Sequence, residues 1–188
     1  MPVQSPVAMK IYTRTGDDGS TGMLRGGRVA KDDTGPEAYG TVDEAVSALG
    51  VARALADGEF AAAVLRVQRD LFVVGAELAT GAENRDKLID GVNRATVSMV
   101  GSLEKAIDAV VAEVGMPTEF VVPGGDPVAA SVDVARTVVR RAERASVALL
   151  ADHGESLVVP YLNRLADYLY MLARAVEREW TPTRGEST

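Results

Sequence analysis

The chain has 188 residues, 47% hydrophobic and 25% charged, with a formal net charge of −7 and no cysteine. That length suits one domain with a sizeable core, and the acidic balance argues against general nucleic-acid binding, which needs a basic field. The absence of cysteine excludes a disulfide framework, a thiol nucleophile and Cys-ligated metal centres, and fits a reducing cytoplasm.

At the N-terminus, "MPVQSPVAMKIY" lacks a basic region followed by an apolar core, so no secretory signal is expected. No run approaches eighteen unbroken apolar residues, so no membrane span is expected either. Residues 1–8 read as a flexible extension, 9–180 as a single domain and 181–188 as a disordered tail. The first 36 residues, rich in Gly, Asp, Thr and Arg, carry no periodic apolar pattern and read as an extended loop. Within it, "TRTGDDGSTG" has glycines that let backbone N–H groups converge on an anion. Thr13, Thr15, Ser20 and Thr21 add hydroxyl donors, and Arg14 and Lys31 add charge. No GK[ST] follows, so this is not a Walker A loop; a surface loop and a phosphate cradle both remain open.

From about Glu37 the pattern turns helical. Apolar stripes run through Val42, Ala45, Val46 and Leu49, then through Val64, Val67, Leu71, Val74 and Leu78. After the polar connection "ENRDKLIDGVN", a third helix carries Val100, Leu103, Ile107 and Val110. "PTEFVVPGGDP" is a turn-rich break holding the short apolar run Phe120 to Val122. Two further helices, about 129–151 and 158–179, flank "ADHGES". Five long helices with short connections and no clear strand predict an all-α, five-helix antiparallel bundle with a Gly/Thr-rich N-terminal loop.

The fourth helix concentrates charge. Of sixteen arginines, Arg136, Arg140, Arg141 and Arg144 fall within nine residues, in a chain with only four lysines. At about 100° per residue, Ala135, Val138, Val139, Ala142, Ala145 and Leu149 form the core stripe. Arg136, Arg140 and Glu143 line up on the opposite side with Arg144 beside them. A solvated face with Glu–Arg pairs is one reading. Arginine's planar fork, which binds phosphate or carboxylate in bidentate fashion, supports another. The last helix buries Leu162, Leu165, Leu169, Leu172 and Val176, and sets Asn163, Asp167, Tyr170 and Arg174 opposite them. Asn163 suits a base or ribose edge, or a polar contact between helices. His153, the only histidine, falls in an interhelical loop, and the Glu-x-x-His pairs of di-iron bundles are absent, so no dedicated metal site is expected.

Taken together, "KIYTRTGDDGSTG", "VAKDD", "AYGTVDE", "FVVPGG", "VARTVVRRAER" and "PYLNRLADYLYMLAR" resemble the ATP:corrinoid adenosyltransferases of the propanediol-utilisation type, in order and spacing, from about Lys10 to Trp180. The resemblance implies a five-helix bundle assembled as a cytoplasmic homotrimer with ATP bound between subunits. It implies transfer of the 5′-deoxyadenosyl group of ATP to Co(I) of reduced cobalamin, giving adenosylcobalamin and triphosphate. Mg²⁺ would arrive with ATP. A reductase and a B12-dependent enzyme that takes the product would be further partners.

By motif position, the resemblance assigns ATP binding to Thr13, Arg14, Thr15, Gly16, Thr21, Gly22 and Lys31, with Arg140, Arg141, Glu143, Arg144 and Asn163 from a neighbouring subunit. Arg136, Arg140, Glu143 and Asn163 would form the catalytic set. Asp43 would pair with Arg136 across the subunit interface, and Phe120 would crowd the lower face of the corrin. One departure is Asp133, where family members often carry His, on the corrinoid side. The rival readings are a non-catalytic ATP or adenylate sensor on the same bundle, and a scaffold whose arginine face binds carboxylates.

Overall fold

A computed structural model describes residues 11–151, 155–177 and 179–184. His153 and the extension expected over residues 1–8 lie outside the described residues. The chain order is a hairpin of β1 (Ser20–Gly22) and β2 (Arg28–Ala30), then α1 (Thr34–Ala54), α2 (Gly58–Leu78), a 3-10 helix (Ala82–Lys87), α3 (Val97–Val114), α4 (Pro127–Leu150) and α5 (Val158–Val176).

The starts of α1, α3 and α4 follow from side-chain caps. The Asp33 carboxylate accepts from the Thr34 amide at 2.7 Å and opens α1 three residues before the apolar periodicity becomes visible. Thr96 caps α3 by accepting from the Met99 amide. Asp126 accepts from the amides of Val128 and Ala129, with Pro127 in the first turn where its missing N–H costs nothing. Gly115 ends α3 at φ 77°, a backbone angle that a side chain would oppose.

Packing places α4 between α1 and α5, with α2 against α1 and α3 against α5. The apolar stripes expected on α1, α2, α4 and α5 supply the core: Leu49, Leu71, Val139, Leu162, Leu165 and Leu169 have no exposed surface. The α3 stripe is buried only at Leu103, the other three apolar positions lying partly exposed at the edge of the core. One buried carboxylate organises the irregular chain around α2. Glu77 accepts from Arg85, from the Ala95 amide and from the Ser156 hydroxyl, each at 2.7 Å. It thereby ties the 3-10 segment and the approaches to α3 and α5 to the end of α2.

Three expectations are corrected. The N-terminal segment is not wholly loop: Ser20↔Ala30, Thr21↔Val29 and Gly22↔Arg28 pair antiparallel, in strands too short and too polar to show alternation. The tail is not unstructured from residue 181. Thr181 O accepts from the Val122 amide at 2.8 Å and the Thr183 amide donates to Phe120 O at 2.9 Å, an antiparallel bridge that satisfies the backbone of the Phe120 segment. Arg174, expected on a polar stripe facing away from the core, is 1% exposed. It is buried because two carboxylates, Asp133 and Glu177, meet it there.

Candidate active site

A cleft of about 1160 Å³ opens along α3, α4 and α5 and is closed at one end by residues 116–121 and 183–184. Arg136 and Arg140 reach it from α4, Arg164, Asp167 and Tyr170 from α5, and Phe120 from the connection before α4. Phe120 is 83% exposed, an aromatic wall that the fold leaves uncovered. The four-residue spacing of Arg136 and Arg140, one helical turn, is what brings both guanidinium groups to the same wall.

Beside the cleft, α4 and α5 are joined through Glu143 and Asn163. The Asn163 Nδ2 donates to Glu143 Oε1 at 3.1 Å, and its Oδ1 accepts from Arg164 Nη1 at 2.7 Å. Arg164 in turn meets Glu104 of α3 at 3.2 Å, which fixes the amide's orientation from both sides. Asn163 and Glu143 are half-buried, whereas Arg140 and Arg144 are exposed. Arg144 Nη1 donates to the Arg140 carbonyl at 3.0 Å. Arg141, one position round the helix, instead forms an ion pair with Glu44 of α1 and does not line the cleft.

The glycine-rich loop forms a second, separate cluster. Arg14 has φ 61°, a left-handed conformation uncommon outside glycine. Thr13 and Thr15 share a 2.8 Å hydrogen bond between hydroxyls. Arg28, not singled out from the sequence, braces the turn by donating to Thr15 O at 2.6 Å and to Ser20 Oγ. The Ser20 amide and hydroxyl both donate to Asp18, and with Arg28 nearby they hold that carboxyl below its usual range. Gly16 lacks a side chain for a local reason: a Cβ there would sit 3.1 Å from Ser20 O and 3.2 Å from Lys31 Nζ. The Lys31 ammonium thus lies against Gly16, with the Thr13–Thr15 hydroxyl pair just before it in the chain and Thr21 and Gly22 on the adjoining strand.

None of these loop residues lines the cleft of their own chain. Asp43 lies exposed on α1, and Arg136 pairs with Asp133 of its own helix at 2.9 Å. Asp133 is buried, accepting from Arg136 through Oδ1 and from Arg174 through Oδ2, and does not itself line the cleft. Sequence reasoning missed this role because Arg174 lies 41 positions away on another helix. Among the described residues, no group of three or more His, Cys, Asp or Glu could hold a metal ion. No described helix is long and apolar enough to cross a membrane.

Comparison with known proteins bears on the same elements. The family profile described as cobalamin adenosyltransferase matches residues 11–176. A corrinoid adenosyltransferase of Bacillus subtilis (strain 168) is 41% identical over 174 residues, covering 89% of this chain and 86% of that protein. One of Mycobacterium bovis is 42% identical over 182 residues, covering 92% and 93%. Among solved structures, a variant PduO-type ATP:corrinoid adenosyltransferase from Lactobacillus reuteri complexed with cobalamin and ATP superimposes with a TM-score of 0.85 at 30% identity. That match covers 94% of this chain and 100% of the other. With its sequence and helical bundle matched along nearly the whole length, the chain belongs to the cobalamin adenosyltransferase family.

Proposed function

We propose that this protein transfers the 5′-deoxyadenosyl group of ATP to Co(I) of reduced cobalamin. The observation that carries the reading is one cleft holding an uncovered aromatic wall, Phe120, beside the cationic pair Arg136 and Arg140. The wall suits a flat macrocycle and the cations suit a polyanionic leaving group.

Chemically, the cobalt lone pair forms a Co–C bond to C5′ while the C5′–O bond breaks and the electron pair leaves with triphosphate. The metal of the substrate is itself the nucleophile, so the chain needs neither a nucleophile nor a general base of its own. Its tasks are to hold C5′ in line with cobalt and to stabilise charge building on triphosphate. Arg140 and Arg144 supply charge, and Asn163, oriented by Glu143 and Arg164, meets the nucleoside. The loop from Thr13 to Gly22, with Lys31, wraps the phosphates. Phe120 crowds the lower face of the corrin and excludes an axial ligand, which makes Co(II) easier to reduce.

Mg²⁺ brought by ATP would supply charge neutralisation at the phosphates. Glu143, whose Oε1 is held by Asn163, would be a carboxylate neighbour for it, since a nucleotide-borne Mg²⁺ needs no all-protein cage. We place the protein in the cytoplasm as a homotrimer, with the loop of one subunit meeting the arginines of the next and Asp43 pairing with Arg136 across the interface. A reductase supplies the electron, and a B12-dependent enzyme takes the product.

Incubation with Mg-ATP and reduced cobalamin tests the reading. Loss of the Co(I) spectrum, release of triphosphate and a photolabile alkyl product are expected, and Arg140→Ala should abolish them while leaving a folded assembly. ATP-dependent thermal stabilisation without a Co–C product would instead favour a nucleotide sensor, and wild-type turnover by the variant would remove Arg140 from the mechanism.

A further inference from the structure

Behind the cleft wall lies a four-residue ionic chain, Glu177–Arg174–Asp133–Arg136. Arg174, 1% exposed, sits with Nε 2.7 Å from Glu177 Oε2 and Nη2 2.6 Å from Asp133 Oδ2. The other Asp133 oxygen accepts from Arg136 Nε at 2.9 Å. Two carboxylates and two guanidinium groups balance, so the buried charges are compensated within the chain. Burial works against the charge on Arg174, but the hydrogen bond and charge of Asp133, followed by Glu177, outweigh it and raise its pKa.

Two further contacts bracket Arg174. The Trp180 indole donates to Arg174 O at 3.1 Å, and the Tyr170 ring centroid lies 5.2 Å from the Arg174 guanidinium carbon. Only Arg136 and Tyr170 of this group reach the cleft. An i,i+3 pair on a helix surface would be too weak to hold a long side chain in one place. Here the carboxylate plane is set by a second, buried cation on another helix, so the Arg136 Nε is met by a fixed acceptor. Its two terminal nitrogens make no hydrogen bond among the described residues.

We propose that Asp133, clamped by Arg174, is a positioning residue that aims the Arg136 guanidinium into the cleft. The inference rests on the adenosyl-transfer reading for its kinetic consequence, but not for its geometry. Asp133 touches no cleft surface, and its effect passes through Arg136.

Arginine Nε–H hydrogen exchange, followed by ¹⁵N NMR on the full-length protein, tests the geometry without turnover. Arg136, assigned by the signal lost in Arg136→Lys, should exchange more slowly than the exposed Arg53. Equal rates in the wild-type protein would overturn the proposal. In Asp133→Asn, exchange at Arg136 should quicken and kcat for adenosylation should fall on the order of tenfold, with KM for ATP nearly unchanged, because misaim is felt in the transition state. Arg174→Lys, which keeps the charge but not the planar fork, should move both readouts the same way by less. A folded Asp133→Asn protein with wild-type exchange and kcat overturns the proposal, as does a stability loss with kcat untouched. Slow wild-type exchange in a protein that does not adenosylate cobalamin would overturn the transfer reading and leave the clamp standing.

Discussion

Asp70 and Tyr161 illustrate how single residues join helices at an energetic cost that depends on pH. The Tyr161 hydroxyl, buried in α5, donates to Asp70 Oδ2 of α2 at 3.1 Å. Burial raises the Asp70 pKa above 3.8, opposed by the tyrosine hydrogen bond and by Arg66, and burial beside Asp70 raises Tyr161 well above its usual range. An acid with a raised folded pKa holds its proton more tightly in the folded state. Its stabilising contribution is therefore complete below 3.8 and is lost as pH rises through the folded pKa. Asp70→Asn keeps an oxygen for Tyr161 and cannot ionise, so the variant should be more stable than wild type at pH 7. The advantage should shrink as pH falls towards 3.8, and urea midpoints across that range, with both proteins matched, measure it. A gap independent of pH would show that Asp70 carries no ionisation penalty. Residues of this kind are poorly legible in a sequence. Periodicity assigns Arg174 to a polar stripe correctly by angle, yet only the positions of Asp133 and Glu177 reveal that the stripe turns inward there.

At the scale of elements, legibility tracks how local the determining interaction is. The α2 stripe of Val64, Val67, Leu71, Val74 and Leu78 is buried throughout, because a 3.6-residue period needs only its own helix to show itself. The β1–β2 hairpin fails that test, since its register rests on backbone pairing and on Arg28 reaching back to Thr15 and Ser20. The bridge between 120–122 and 181–183 joins segments some sixty residues apart. The starts of α1, α3 and α4 fall between these cases, encoded locally but in side-chain caps rather than in apolar spacing. Asp126 is the strongest: it accepts from two orphan amides at 2.7 and 3.1 Å, at the point where the Phe120 connection enters α4. Asp126→Ala should lower unfolding free energy by about 1 kcal/mol, the usual value of such a cap. Equilibrium urea unfolding checks it, with the slope expected to stay constant because the exposed area on unfolding is unchanged. A loss well below that figure would mean that Pro127 alone suffices to start the helix.

For the whole molecule, the decisive fact is a separation. The loop cluster around Thr13, Gly16 and Lys31 and the α4–α5 cluster around Arg140 and Asn163 are each internally organised, yet no loop residue lines the cleft of the same chain. In the homotrimer proposed above, a nucleotide held by both clusters at once would take them from different copies. That arrangement predicts complementation between dead variants. A Lys31→Ala chain retains its arginine cluster and an Arg140→Ala chain retains its loop, so each should be inactive alone. Co-refolded in equal amounts, they should regain roughly a quarter of wild-type activity, because each interface needs an intact loop on one side and intact arginines on the other, with even odds for each. Recovery should disappear when the two are refolded separately and mixed without subunit exchange. If loop and arginines served one another within a chain, every site would carry one lesion and co-refolding would restore nothing. The outcome thus reports which chain completes the site, and does so without depending on the size of either single loss.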